Sequence, residues 1–126
     1  MKTQFIITIN ALLLAVIGLS LLFTPQEVLT LLTGNPATLE LLPFVQSAGL
    51  LYFAFAIINW YARHSIVGGI YNRPLVLGNV THYVAGGIAF AKSLPQSHLA
   101  MHWYFTLLFL TAGCVFVVIL FSDPHS

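Results

Sequence analysis

The sequence predicts an all-α polytopic membrane protein, a bundle of four transmembrane helices with a short amphipathic helix between spans 1 and 2. Two observations carry that prediction. First, apolar stretches at roughly Phe5–Phe23, Leu41–Ala62, Leu75–Ala91 and His102–Phe121 fill the chain almost end to end. Each is about 17–22 residues long, the length that crosses a hydrocarbon core of ~30 Å at ~1.5 Å per residue. Second, 59% of the residues are hydrophobic and 6% charged, where ordinary soluble domains carry about 45–50% and about 25%. A water-exposed surface needs far more charge than this chain has.

No segment outside the four stretches is long enough to build a separate core, so residues 1–126 are expected to form one domain. A net charge of +1 argues against nucleic acid, which demands clustered Lys and Arg. The one cysteine, Cys114, excludes an internal disulfide.

Span 1 begins after Met1-Lys2-Thr3-Gln4, a short positive start that a secretory signal also has. Its apolar run is longer than the ~7–15 residues of a signal core, and Pro25-Gln26-Glu27 is no small-residue cleavage site. It is therefore read as a span. Thr24-Pro25-Gln26-Glu27 then spells a helix start, with Thr24 as cap, Pro25 at the first helical position and Glu27 closing a capping box. This short helix, apolar through Val28, Leu29, Leu31 and Leu32, should stop at Gly34 and lie at the membrane surface. Asn35-Pro36 reads as the cap and first residue of span 2, with Pro43 bending its entry. The loop from His64 to Arg73 is rich in turn formers, and Pro74 suits the start of span 3. Gly78, Gly86 and Gly87, with Ala85 and Ala89, allow span 3 a close helix–helix approach. Ser93–Leu99 forms a last turn before the Leu-, Phe- and Val-rich span 4.

Four spans put both termini and the loop between spans 2 and 3 on one side, with Lys2, Arg63 and Arg73. Lys92 falls on the other side, so the positive-inside rule makes the first side cytoplasmic. The expected location is a bacterial inner membrane. Trp60-Tyr61 and Trp103-Tyr104 fit the aromatic belts at the two interfaces.

Polar residues within the spans are the candidate site. Asn10, Asn59 and Asn79 all lie ~6–8 Å from the cytoplasmic interface, counted at ~1.5 Å per residue. His82 and Tyr83 follow Asn79 at i+3 and i+4 and neighbour it on the helix. Arg63 and Arg73 lie at the rim, Arg63 one turn from Asn59. Together Asn10, Asn59, Arg63, Arg73, Asn79, His82 and Tyr83 outline a ligand pocket opening to the cytoplasm. Polar groups at depth often mark ligand or proton paths. Asparagines also join helices at ~0.6–2 kcal/mol per hydrogen bond, and arginines at the rim also set topology and contact lipid phosphates. Gly78 and Gly86 either leave room beside the His82 ring or mark where another helix covers it.

Glu27, Glu40 and Asp123 all fall outside the spans, which removes the usual partner of a proton relay. No catalytic residue is assigned, and no cofactor is indicated. His98 and His102 share a helical face, but two imidazoles are too few for a metal site. Cys114 and Thr111 read as packing residues. Asn79-Val80-Thr81 has the form of a glycosylation sequon, but it lies inside a span.

The layout resembles the DoxX-like group of small bacterial four-helix membrane proteins. The shared outline is a first span, a proline-headed amphipathic segment (Thr24–Gly34), and a second span entered through Gln46-Ser47-Ala48-Gly49. Members commonly carry an arginine near the start of that span, where this chain has Gln46. The segments Asn59-Trp60-Tyr61-Ala62-Arg63 and Gly68–Pro74 look like marks of an uncharacterised subgroup. Some DoxX-like proteins are small subunits linked to quinone-associated respiratory enzymes, so the resemblance implies a subunit role.

Three functions remain open from sequence. The foremost is a non-catalytic protein that binds a lipid-like ligand or serves as an accessory subunit of a membrane complex. The second is a membrane-embedded enzyme acting on a quinone, isoprenoid or lipid, with His82 as acid or base. The third is a homo-oligomeric channel or transporter, for which no repeat pair or broken helix is visible. Expected partners are membrane lipids and another membrane protein or a second copy.

Overall fold

Why the chain becomes helix is simple at this composition: a backbone leaving water must satisfy its own N–H and C=O groups, and only a helix does so within one segment. The computed structural model describes residues 2–36, 38–96 and 100–122, and among them no strand forms. Five helices follow in order: α1 (Lys2–Phe23), α2 (Pro25–Thr33), α3 (Leu42–Ala62), α4 (Arg73–Ser93) and α5 (Ala100–Phe121). The segments Thr3–Phe23, Leu39–Ala62 and Ala100–Phe121 are long and apolar enough to cross a membrane. Helix α4 has the length, 21 residues, or ~31 Å at ~1.5 Å each. Asn79, Thr81 and His82 lower its apolarity, and it does not reach that standard.

Large apolar side chains stand exposed on these helices, among them Phe23 at 74%, Leu51 at 72% and Phe121 at 77%. Soluble monomers rarely expose apolar patches of more than a few hundred Å². In a bilayer such faces meet hydrocarbon. The chain has the features of an integral membrane protein.

The chain divides into two compact units, Met1–His64 and Ser65–Ser126. In the first, α1 and α3 run antiparallel. Gln4 Nε2 donates to His64 Nδ1 at 2.9 Å at one end, Asn10 meets Asn59 further along, and Gly18 meets Gly49 near the other end. Buried Ile7, Ala11, Leu14 and Gly18 recur at helical spacing on one face of α1. The crossing at Gly18 is backbone on backbone. A β-carbon there would stand 2.7 Å from the Gly49 carbonyl oxygen and 2.8 Å from the Phe53 nitrogen. Gln46 Nε2 donates to the Leu22 carbonyl at 3.3 Å beside it.

Helix α2 ends as the sequence predicts. Gly34 is left-handed, φ 73°, and its N–H donates to the Thr30 carbonyl at 2.8 Å. Its start also falls where read, with Thr24 at the cap position and Pro25 first in the helix, but the capping box does not form, because the Thr24 hydroxyl donates back to the Ser20 carbonyl at 2.7 Å. A threonine that can close a bond to the preceding helical turn has that alternative to capping the next helix. Span 2 also begins later than Asn35-Pro36. Asn35 folds its amide onto the Thr33 carbonyl, Thr38 is extended, and a 3-10 turn, Leu39–Leu41, leads into α3. Pro43 therefore sits in the first turn of α3, where its missing N–H costs nothing, and does not bend an established helix.

In the second unit a tight turn precedes α4. Gly68 and Tyr71 exchange backbone hydrogen bonds at 3.1 and 2.9 Å, with Gly68 at φ 127° and Gly69 at φ 58°. Asn72 is left-handed, φ 51°, and its side chain donates to the Ile66 carbonyl at 3.0 Å. Pro74 then opens α4 as expected. Helices α4 and α5 also run antiparallel. A β-carbon at Gly86 would stand 2.8 Å from the Phe109 ring, one at Gly87 2.6 Å from Leu110, and one at Gly113 2.9 Å from Val84. His102 Nδ1 lies 3.3 Å from Ser93 Oγ at the end where α4 gives way to α5. The pairing of His98 with His102 falls on a residue outside those described.

Candidate functional site

Unit 1 brings together three of the residues singled out from sequence. Asn10 on α1 and Asn59 on α3 are 4% and 0% exposed, and Asn10 Nδ2 donates to Asn59 Oδ1 at 3.1 Å. Asn59 Nδ2 donates in turn to the Phe55 carbonyl at 2.9 Å, one turn back on its own helix. The two amides thus tie α1 to α3, the helix-joining role open to asparagine in a membrane. Arg63, one turn beyond Asn59, caps the end of α3. Its guanidinium carbon lies 3.8 Å above the centre of the Trp60 ring system, and Nη1 donates to the Trp60 carbonyl at 2.6 Å. Cation–π stacking over indole and this hydrogen bond hold the charge at the helix end. No carboxylate pairs with Arg63 among the described residues.

Beside this end runs a groove of about 260 Å³ between the two helices. Helix α1 contributes Ala11, Leu12 and Ala15, and α3 contributes Phe53, Ala56, Ile57, Trp60 and Tyr61. Every lining residue is apolar or aromatic. The groove exists because alanines at 11, 15 and 56 leave a trough between the bulkier Leu12, Phe53 and Trp60. Trp60 and Tyr61, read from sequence as interfacial aromatics, are also walls of this trough. The groove itself escaped sequence reasoning, although Ala11 and Ala15 at i+4 spacing were the available signal.

The remaining candidates belong to unit 2. Asn79 is fully buried on α4, and Arg73 is exposed at its first turn. His82 and Tyr83 enter an aromatic cluster with α5. The His82 ring centre lies 4.8 Å from Tyr83 and 5.1 Å from Phe109. Tyr83 meets Phe109 edge-on at 5.4 Å and stacks with Phe116 at 5.9 Å. Phe90 continues the ladder, edge-on to Phe109 at 5.3 Å. Gly86 is thus where Phe109 packs against α4, one of the two roles open to it beside His82.

Cys114 and Thr111, read as packing residues, are exposed on α5. Gly113 takes the close contact with α4; Cys114 is one helical step of ~100° from it and Thr111 two steps, and both turn outward. Among the described residues no three His, Cys, Asp or Glu side chains gather where a metal could be held. No protein-family model matches the chain, and no curated protein or solved structure matches it either.

Proposed function

We propose that this chain is a small, non-catalytic membrane protein of four spans that holds a lipid-like ligand against its α1–α3 hairpin. The groove carries the reading. A trough lined only by apolar and aromatic side chains, on helices apolar enough to span a membrane, suits hydrocarbon and offers no polar grip on a hydrophilic substrate. Counting α4 as the fourth span rests on its length and on its antiparallel pairing with α5. Four crossings put Lys2, Arg63 and Arg73 on one side and Lys92 on the other, which makes both termini cytoplasmic in a bacterial inner membrane. The hydrogen bond from Gln4 to His64 supports part of this order, because it keeps the start of α1 and the end of α3 together.

A role as accessory subunit of a membrane complex is compatible with ligand binding. The DoxX-like layout favours it, as does the apolar outer face of α5 with Leu107, Val118 and Phe121. The test is organic extraction of the gently purified protein, with the released molecules compared with the bulk membrane. A lipid-like species enriched several-fold over its membrane share is expected. An extract matching the bulk membrane would contradict ligand binding and leave the subunit role.

A further inference from the structure

The groove and Arg63 share one residue, Trp60, which lines the first and carries the guanidinium of the second. The groove runs from Trp60 and Tyr61, near the end of α3, inward to Phe53, which is about two helical turns or ~11 Å. Its volume of about 260 Å³ lies along that length between apolar walls, which suits part of one hydrocarbon chain. One wall at its outer end is Trp60, and the Arg63 guanidinium lies on that indole. Guanidinium has five N–H donors. One is committed to the Trp60 carbonyl at 2.6 Å, which orients the plane and leaves other donors able to meet an anion beside Trp60. Tyr61 lines the same end and is exposed.

From this arrangement we infer that the α1–α3 hairpin binds an anionic phospholipid, with one acyl chain in the groove and the phosphate on Arg63. The inference rests on the lipid-binding reading above and adds the headgroup charge and the residue that selects it. A zwitterionic lipid fills the groove equally well but brings a cation next to Arg63. A second copy of the chain would cover the trough with protein in place of lipid, and the test below separates the two. The selectivity therefore comes from Arg63, and the affinity for any lipid at all from the groove.

Trp60 reports on the site directly. Trp103→Phe leaves it the only tryptophan, and bromine atoms on acyl chains quench indole on contact. The variant is reconstituted in vesicles of dibrominated phosphatidylcholine with increasing unbrominated phosphatidylglycerol. One basic side chain near an anionic surface is worth about a fivefold preference. Fluorescence should therefore recover as though phosphatidylglycerol were about five times more abundant than it is. Arg63→Gln should bring recovery down to the mole fraction, Arg63→Lys should retain most of the preference, and Ala15→Phe, which fills the groove, should abolish it.

Recovery in simple proportion to mole fraction in the parent variant would overturn the inference, as would a preference that survives both Arg63→Gln and Ala15→Phe. Quenching that vanishes as the protein-to-lipid ratio rises would show a second copy in the groove and equally overturn it. The organic extract separates the two levels. An enriched lipid in the extract without preference at Trp60 places the ligand elsewhere and leaves the proposed function standing. A bulk-like extract removes both.

Discussion

Gly18→Ala is the sharpest probe of how the first hairpin is held. The new methyl would stand 2.7 Å from the Gly49 carbonyl oxygen and 2.8 Å from the Phe53 nitrogen, both backbone atoms. Ordinary contact begins at 3.4 Å, so α1 and α3 must part by about 0.7 Å at the crossing. A radial gap of ~0.5–1 Å forfeits a quarter to a half of each dispersion contact along the seam. Overpacking of this kind costs about 1–3 kcal/mol. Alanine's helix-propensity advantage of about 1 kcal/mol in water does not offset this, because separated spans in a membrane are already helical. Gly87→Ala is the control. Its β-carbon meets mainly the Leu110 side chain, which is at the surface and can turn aside. Reversible unfolding by SDS in mixed micelles, followed by tryptophan fluorescence, should rank Gly18→Ala at least 1 kcal/mol below Gly87→Ala. Equal stabilities would refute the backbone crossing.

Other perturbations test other links. A double-mutant cycle of Asn10→Ala and Asn59→Ala in the same unfolding assay should give a coupling of ~0.6–1.7 kcal/mol, the range for hydrogen bonds inside membranes. Independent effects would deny the direct amide contact. Phe109→Ala removes the ring that packs against His82, Tyr83, Phe90 and Gly86. It should destabilise by about 3 kcal/mol, the low end for a buried phenylalanine, while a cost under ~1 kcal/mol would dissolve the cluster. Cys114 is exposed on α5, so lipid alone can shield it. In sealed or opened vesicles a charged maleimide should leave it unlabelled, and SDS should expose it fully. Labelling in opened vesicles without detergent would take α5 out of the membrane.

What could be seen in the sequence was depth along each helix. Helices need only length and apolarity to be recognised here, which is why α1, α3 and α5 fall where the apolar stretches do. Counting residues from the interface put Asn10 and Asn59 at one level, and they do meet. Rotation about each helix axis was not legible, because packing sets it. The same ambiguity turned Cys114 outward and left the role of Gly86 open. The side-chain cap at Thr24 and the helix start at Pro36 failed for a different reason. Each carries a helix-start signal, but a hydroxyl bond to Ser20 and a turn through Asn35 compete locally with capping. The groove at Ala11, Ala15 and Ala56 needed two helices in register before it existed at all.

Native mass spectrometry, on protein released from its membrane in a mild detergent, tests the central claim most directly. Wild-type chain and Ala15→Phe are compared. One anionic phospholipid retained on each wild-type chain and lost from Ala15→Phe is the predicted result. Bare wild-type protein, or the same lipid held equally by both, would contradict the account.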